Sequence, residues 1–335
     1  MDGVKEERMT PREASLHRRA AVLLAVIVVP GCGAGSSGSG GGGDGVDGLV
    51  WVAWQGIGPD TLIGIDPATA RITRRVGTED VWGNLAIAAG GLWTAGADLV
   101  VRIDPRTGRP DSIPLPEGSH PADVVLAEGS IWVANNGDGT VLRIDPASRA
   151  VTASVQVVEA GSIDNPLRLA AGGGAVWVVA LFGRHSLHRI DPASNTVTAR
   201  AEDVGDGTVG VAFGEGSVWI AGVHDGTIYR VDPETLQVLA RIPVDNRPVA
   251  VVVGAGAVWV GKLGDGTVDR IDPASNRVVA SFPVGGEPAG LAAANGSIWV
   301  LNRGDRSIAR IDPEASEVNA VIALGAPPRA LAAAP

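Results

Sequence analysis

The stretch GDGTVLRIDPAS at residues 137–148 returns at residues 264–275 as GDGTVDRIDPAS, with a single substitution. Asp-Gly supplies the positive φ of a tight hairpin between two strands. In IDPAS, the proline presets φ for the second position of a type I turn, and the aspartate carboxylate can accept bonds from backbone N–H groups further on. The stretch therefore predicts a hairpin, a strand and a turn.

The same residues could instead bind a cation. A calcium loop of EF-hand type needs oxygen ligands at alternating positions and an acidic residue at the twelfth position. Counted from Asp138, the third position is Thr140, the fifth is Leu142 and the twelfth is Arg149. This spacing excludes an EF-hand loop, and a looser site built from aspartates of several copies stays an alternative.

The stretch belongs to a repeat of about forty residues. Asp-Pro pairs that follow Ile or Val begin at Asp66, Asp104, Asp145, Asp191, Asp232, Asp272 and Asp312. A tryptophan precedes each pair at a similar distance: Trp54 or Trp51, then Trp93, Trp132, Trp177, Trp219, Trp259 and Trp299. Seven copies at this spacing indicate a repeat architecture.

Each unit divides into four short runs rich in Val, Ile and Ala, separated by Gly, Asn and Asp clusters. Four strands in each of seven units predict an all-β, seven-bladed β-propeller over residues 48–335. The first unit begins at GLVWVAW (48–54) without an innermost strand, and the chain finishes with a spare copy, PPRALAAAP (327–335). We expect this C-terminal strand to complete the first blade, which closes the ring.

The units SIWVANNGDGTVLRIDPASRAVTASVQV and AVWVGKLGDGTVDRIDPASNRVVASFPV resemble the YVTN or YncE-type propeller repeats of bacterial surface and periplasmic proteins, a group close to the streptogramin lyases. The resemblance covers about residues 48–335. It implies the propeller fold, but propellers carry unrelated activities, so function has to be argued from the site.

Two recurrent residues fit a structural role. A tryptophan once per unit suits the seam between face-to-face blades. An arginine two residues before the Asp-Pro pair is expected to form a structural ion pair or a solvated rim. It occurs in six units, at Arg102, Arg143, Arg189, Arg230, Arg270 and Arg310.

The N-terminus has the order of a bacterial lipoprotein signal. A basic pair precedes the apolar run AAVLLAVIVV (20–29), which is too short to span a bilayer as a helix but suits a signal peptide. VPGC (29–32) resembles a lipobox and ends in the chain's single cysteine, Cys32. We expect a signal at 1–31, lipidation of Cys32 and a flexible Gly/Ser-rich linker at 32–47, and acidic residues near Met1 suggest a true start at Met9.

These features predict the location and the partners. Acyl chains on Cys32 would anchor the protein to the cell membrane, with its body facing the extracellular or periplasmic side. Without residues 1–31 the chain keeps 22 basic and 33 acidic side chains, a net charge of −11. Such an acidic body disfavours nucleic acid as a partner. We expect a monomer that binds a protein or a small molecule.

Candidate binding residues are those that differ between units near one mouth of the central channel. The loops that enter the inner strands, and the hairpins between second and third strands, should project there. The candidates are Trp82, Asn84, His120, Asp123, Asn165, Arg168, His185, His224, Arg247, Lys262, Glu287, Arg303 and Arg329. No cofactor is expected for a binding module.

The alternative is a carbon–oxygen lyase similar to the streptogramin lyases, acting on a cyclic peptide or similar small molecule with a divalent metal. The resemblance implies a histidine base and metal-supporting glutamates in late blades, yet the sixth unit (245–284) contains neither His nor Glu. A catalytic site could then form only if His120, His224 and Glu287 converge across the channel. His185 and His188 should lie on opposite faces of a strand.

Overall fold

The chain folds into seven four-stranded antiparallel sheets, as predicted. The computed structural model describes residues 48–54, 60–78, 83–159, 165–181 and 185–333, with the backbone alone described at residues 60, 165–167 and 181. The predicted signal, Cys32 and the linker lie outside these ranges and stay predictions. Within the described ranges no helix is long and apolar enough to cross a membrane.

In blades 2 to 7 the strands follow the chain from the channel outward. Blades 1 to 3 contain β1 (Val50–Trp54), β2 (Asp60–Asp66), β3 (Arg71–Thr78), β4 (Leu85–Ala88), β5 (Gly91–Ala95), β6 (Leu99–Ile103), β7 (Pro110–Pro114), β8 (Pro121–Ala127), β9 (Ser130–Asn135), β10 (Thr140–Ile144) and β11 (Val151–Gln156). Blades 4 and 5 contain β12 (Asn165–Gly172), β13 (Ala175–Leu181), β14 (Ser186–Asp191), β15 (Thr196–Ala201), β16 (Thr208–Gly214), β17 (Ser217–Gly222), β18 (Thr227–Val231) and β19 (Val238–Pro243).

Blades 6 and 7 contain β20 (Pro248–Gly254), β21 (Ala257–Lys262), β22 (Thr267–Asp272), β23 (Arg277–Pro283), β24 (Pro288–Ala294), β25 (Ser297–Asn302), β26 (Ser307–Asp312) and β27 (Glu317–Ala323). The last strand, β28 (Pro328–Ala333), pairs with β1 and gives blade 1 the order β28-β1-β2-β3. The predicted closure of the ring is therefore confirmed.

The repeated tryptophans pack in the core, as expected. In blade 1 the repeat position is Trp51, because it pairs with Ala332 as Trp259 pairs with Val252, and both indoles are fully buried. Five of the indole N–H groups, such as that of Trp259 to Gly254 at 3.0 Å, donate to the carbonyl five residues earlier. Each such tryptophan thus fixes the hairpin between the first two strands of its blade.

The predicted ion pair is found at Arg189, whose Nη1 lies 3.1 Å from Glu234 Oε2 of the next blade. Four other repeated arginines bond to backbone carbonyls of the next blade. The Arg230 guanidinium lies 5.2 Å from the Trp219 ring centroid. Its Nη1 donates to the Pro273 carbonyl at 2.6 Å and to Asn276 Oδ1 at 3.0 Å, both in the next blade. Arg143, Arg270 and Arg310 reach the next blade's Asp-Pro turn in the same way, and Arg310 bonds to Pro67 across the ring closure. We call these four residues the inter-blade arginines.

The GDGT turns differ in detail from the tight hairpin predicted. Four residues connect β9 to β10, and the positive φ falls on Gly139 alone (76°), not on the Asp-Gly pair. Asp138 instead accepts hydrogen bonds from Asn135 and Thr140. The two-residue turns with two positive φ values lie between first and second strands, as at Ala255 and Gly256.

The Asp-Pro turns form as predicted. Asp145 Oδ1 accepts the backbone N–H groups of Ala147 and Ser148 at 3.0 and 2.6 Å. These bonds favour the charged carboxylate, so the Ser148 contacts first of all lower the pKa of Asp145. The opening stretch is therefore held together by its own aspartates, which act as turn acceptors.

Candidate functional site at the channel mouth

One end of the ring is built by two sets of loops that are bonded to each other. We call the residues before each first strand the entry loops and the turns between second and third strands the mouth hairpins. In blade 6, Leu263 N–H donates to the Arg247 carbonyl at 3.1 Å and Gly264 N–H to that of Asn246 at 2.9 Å. Blades 3, 5 and 7 repeat this pair of bonds. The backbone therefore presents mouth side chains from a fixed frame.

Among the described residues, the last residue of the entry loop has a left-handed backbone in four blades. It is His120 in blade 3, Gly207 in blade 5, Arg247 in blade 6 and Glu287 in blade 7, with φ of 46°, 67°, 61° and 55°. Glycine adopts this conformation without steric cost, whereas other residues do so uncommonly. Three blades thus place three chemically different, exposed side chains where glycine would be relaxed.

Just inside the mouth, three candidate residues form one buried row across blades 2, 3 and 4. Asn84, Asp123 and Arg168 occupy equivalent positions, and blades 5, 6 and 7 carry Gly210, Ala250 and Gly290 there; blade 1 carries alanine. We call these three polar residues the inner row. Each is 5% exposed or less.

Asp123 is the centre of the inner row. Its Oδ1 accepts Asn84 Nδ2 at 2.6 Å and Val124 N–H at 2.9 Å, and its Oδ2 accepts Leu169 N–H from blade 4 at 2.9 Å. Burial raises the pKa of Asp123 to about 6, against the lowering effects of the Arg168 charge and of these bonds. Burial also lowers the pKa of Arg168. The sequence had suggested that Asn84, Asp123 and Arg168 lie on the mouth surface. The structure instead buries them between neighbouring blades.

A second group lies on the mouth between blades 4 and 5. Asp206 Oδ1 is 3.0 Å from His224 Nδ1 and 3.7 Å from His185 Nε2, so one carboxylate faces histidines of two blades. Beside it, Tyr229 donates a hydrogen bond to Asp225 Oδ2. Burial, with the Asp225 contact second, raises the pKa of Tyr229 to about 12.

A third group surrounds Lys262 in blade 6. Its Nζ lies 2.9 Å from Asp269 Oδ2 and 3.3 Å from Asp265 Oδ2, and Lys262 and Asp269 are both buried. Burial would lower the pKa of Lys262, but the bonds and charges of the two carboxylates raise it. Asn246 of the entry loop donates to Asp265 at 2.8 Å, which connects this group to the mouth surface.

The three residues of the lyase alternative have separate partners. His120 Nδ1 faces Asp98 at 3.8 Å, His224 faces Asp206, and Glu287 pairs with Arg303 Nε at 3.1 Å. All three side chains are at least half exposed. In the parts of the chain that the structure describes, no group of three or more His, Cys, Asp or Glu could hold a metal ion.

The remaining candidates are placed as follows. Trp82 lies outside the described residues, and Asn165 begins β12 but its side chain is not described. Arg247 is exposed on its entry loop, and Arg329 is half-buried near the start of β28. Their predicted binding roles, like those of the other candidates, stay predictions.

Sequence reasoning missed a second row of exceptions. On the third strand, the residue before the repeated arginine is apolar in blades 2, 3 and 7 but is His188, Tyr229 and Asp269 in blades 4, 5 and 6. Blade 1, which lacks the arginine, has an isoleucine at the equivalent position. All three polar residues are buried. His188 Nε2 lies 2.8 Å from Ser186 Oγ, and burial lowers the pKa of His188 to about 4. Alignment of the units on that arginine would have revealed the row.

Comparisons with solved structures find this architecture in proteins of low sequence identity. Apo AztD from Citrobacter koseri is 15% identical over 84% of this chain and 96% of its own, with a TM-score of 0.62. A chain of the mitotic checkpoint complex is 14% identical, with 90% of each chain covered and a TM-score of 0.64. The computationally designed Ika8 protein is 16% identical over 87% of this chain and 92% of its own, with a TM-score of 0.62.

These likenesses show the fold alone. No family model matches the chain, and a search of curated proteins finds no match in sequence. The seven-bladed propeller is thus established, and it is compatible with a binding or interaction module. What the mouth does has to be argued from its own residues.

Proposed function

We propose that this protein is a lipid-anchored, extracytoplasmic binding module that takes a protein or small-molecule ligand at the mouth of its channel. The observation that carries the proposal is the left-handed residue of the entry loops. In three blades this position carries His120, Arg247 or Glu287 in the left-handed conformation. Blade 5 has Gly207 there in the same conformation, so the fold itself needs no side chain at this position. Such local backbone cost is commonly found where side chains have a task.

The surrounding contacts support the same proposal. The entry loops are bonded to the mouth hairpins, so their backbone is preorganised and binding would cost little backbone ordering entropy. The anchoring part rests on the lipobox, on Cys32 and on the linker, which would hold the mouth away from the lipid surface.

The test uses glycine substitutions, because glycine keeps a left-handed backbone. The mouth variant is His120→Gly/Arg247→Gly/Glu287→Gly. The matched control is Glu128→Gly/Glu215→Gly/Asn295→Gly, whose three positions are also left-handed but lie in the hairpins between first and second strands, at the other end of the blades. A thermal-shift screen with amino acids, dicarboxylates, sugars and short peptides would be run on wild type and both variants.

We expect at least one compound that stabilises wild type and the control but not the mouth variant. Binding at this mouth would be contradicted if every active compound raised the melting temperature of all three proteins equally. It would also be contradicted if no compound raised the melting temperature of any of them. Anchoring is tested separately by metabolic labelling with an alkynyl fatty acid. Label should appear on wild type and be absent from Cys32→Ala, and an unlabelled wild type would refute the anchor.

A further inference from the structure

We propose that the outer rim of blades 1 and 2 docks on an anionic lipid surface through four exposed arginines. These are Arg71, Arg75, Arg106 and Arg109, and we call them the rim arginines. The inference deepens the proposed function, because it rests on the lipid anchor at Cys32 and names the face of the propeller that this anchor brings to the membrane.

The outer strand of blade 1 is the most basic of the seven outer strands. β3 carries three arginines and no acidic residue, whereas each of the other outer strands carries at most one arginine. Arg71 and Arg75 are exposed, and the Arg75 guanidinium lies 5.5 Å from the Trp54 ring centroid. An otherwise acidic body thus concentrates positive charge on the outside of one blade.

The Asp-Pro turn of blade 2 extends this surface. Gly108 packs directly against β3, since a Cβ added there would lie within 2.6 Å of the Gly77 carbonyl oxygen and of Val76 Cγ1. Arg106 and Arg109 flank Gly108 in the chain, and both are exposed. The two blades therefore place the rim arginines along one stretch of the ring.

The acidic side chains near the rim arginines have other partners. Asp66 and Asp104 accept backbone N–H groups of their own turns, and Asp111 pairs with Arg149 of blade 3. Arg106 Nε lies 4.0 Å from Asp104 Oδ1. Within the described ranges the other three rim arginines form no ion pair, and the two acidic residues that follow β3 lie outside those ranges. These guanidinium groups are thus available to phosphate.

The predicted anchor enters the fold beside the rim arginines. β1 begins at Val50, at the end of blade 1 opposite the mouth hairpins, and Val50 pairs with Ile65 next to the Asp-Pro turn. A Cβ added at Gly64 would lie 2.8 Å from the Leu49 side chain and 3.3 Å from that of Arg74, so the entering chain packs beside β3. The flexible linker at 32–47 would span about 20–25 Å. The anchor would therefore keep this rim close to the headgroups.

The negative charge of the rest of the body does not prevent the contact. Exposed charges farther apart than the Debye length, about 8 Å at physiological ionic strength, are largely screened. A lipid surface beside blades 1 and 2 therefore responds to the rim arginines more than to Glu234 of blade 5 or Glu314 and Glu317 of blade 7. Guanidinium binds phosphate in bidentate form, and each arginine near an anionic surface strengthens binding about fivefold.

The test measures the rate at which phenylglyoxal labels each arginine of the full-length protein reconstituted in vesicles, read by mass spectrometry. One vesicle preparation is phosphatidylcholine alone, and in the other a third of the lipid is phosphatidylglycerol. We expect the rim arginines to be labelled about fivefold more slowly on the anionic vesicles, and the difference to disappear in molar salt.

The chain provides matched controls on other blades. Arg241 and Arg277 are exposed and occupy the positions of Arg75 and Arg71 on the outer strands of blades 5 and 6, so their labelling should be the same on both vesicles. Arg71→Gln/Arg75→Gln should reduce the protection of the two rim arginines of blade 2. Arg241→Gln/Arg277→Gln removes the same charge and should leave that protection unchanged.

Equal labelling of the rim arginines on both vesicles in wild type would overturn the proposal, whatever the variants do. Protection in native membranes but not on anionic vesicles would indicate a protein partner and would overturn it as well. Flotation with the neutral vesicles tests the anchor by itself. A protein that floats with both vesicles without protection would keep the anchor and refute this contact, whereas one that floats only with the anionic vesicles would refute the anchor and support the contact.

Discussion

The interfaces between blades 5 and 6 and between blades 2 and 3 join the same repeat in different ways. Blade 5 reaches blade 6 through Arg230, which stacks on Trp219 and donates to the Pro273 carbonyl. The equivalent Arg102 instead donates to the carbonyls of its own hairpin, Ala89 and Gly90, both at 3.4 Å. Near the channel, Asn84 of blade 2 donates a hydrogen bond to Asp123 of blade 3. Blade 5 has Gly210 at the position of Asn84, so it has no side chain there to donate such a bond.

A residue on the second strand explains the different arginine. Ser217 Oγ accepts Arg230 Nε at 2.9 Å and so directs the guanidinium towards the next blade. Blade 2 has Gly91 at this position, and an added Cβ there would lie 2.7 Å from Arg102 Nε. Arg270 reaches the next blade with Ala257 at this position, so a hydroxyl is not required. The space left by the missing Cβ at Gly91 is what Arg102 folds into. The comparison shows that one interface is joined at the Asp-Pro turn and the other beside the channel.

The largest expected effect comes from Asp123→Ala. It removes the carboxylate whose charge attracts the buried Arg168 guanidinium, so we expect the free energy of unfolding to fall by about 3–5 kcal/mol. Urea denaturation measures the change. The double variant Asp123→Ala/Arg168→Met should recover most of the loss, because Arg168→Met removes the buried positive charge and keeps an apolar side chain of similar length. A double variant no more stable than the single one would show that the charges are not coupled.

The pH dependence of stability should separate the two buried rows. The folded pKa of Asp123 is raised, so its contribution is fully present below about pH 4 and is lost as pH rises through 6, by about 3 kcal/mol. The folded pKa of His188 is lowered, so its contribution is present above pH 6.5 and is lost as pH falls towards 4, by about 3 kcal/mol. Urea denaturation from pH 4 to 7.5 measures both.

Two variants separate these opposite slopes. Relative to wild type, Asp123→Asn should remove the loss of stability on the alkaline side, and His188→Gln should remove the loss on the acid side. Identical pH profiles for wild type and either variant would refute the assignment for that residue.

The inter-blade arginines should matter more than their counterpart in blade 2. Arg230→Met loses a hydrogen bond to the Pro273 carbonyl and a cation–π contact, so we expect a cost of about 1–3 kcal/mol. Arg102→Met, whose bonds are long and stay within one blade, should cost less than about 1 kcal/mol. Equal costs in thermal or urea denaturation would break the distinction between the two interfaces.

The smallest expected effect is that of Gly91→Ser. The added side chain displaces the flexible end of Arg102 and supplies a hydroxyl like that of Ser217, so the net change in stability should stay within about 1 kcal/mol. The informative measurement is a double-mutant cycle. In the Gly91→Ser background, Arg102→Met should become about as costly as Arg230→Met, and an unchanged cost would show that residue 91 does not set the direction of the arginine.

Much of the fold could be predicted because it depends on features that recur. The spacing of Trp and Asp-Pro predicts seven blades, and the spare C-terminal strand predicts closure through β28. The sequence left the choice between Trp51 and Trp54 open, because both lie in the same strand. Only the register of β1 with β28 selects Trp51 as the repeat residue.

The candidate site could be predicted only in part. Asn84, Asp123 and Arg168 stand out as exceptions to the repeat, so the sequence nominates them, but it assigned them to the mouth surface. His188 and Asp269 stand out only after alignment on the arginine that follows them. Whether such residues face solvent, the channel or a neighbouring blade depends on strand register, and no local pattern encodes that.

The sequence by itself determined what every unit repeats: the turn acceptors, the buried tryptophan and the number of blades. These depend on contacts within about forty residues, which the repeat displays seven times. Only the tertiary structure decided which residues of different blades contact each other. Asn84 and Asp123 are 39 residues apart and Arg310 and Pro67 are 243 apart, yet each pair is hydrogen-bonded. Closing the ring brings these residues together, because every blade buries its faces against its neighbours.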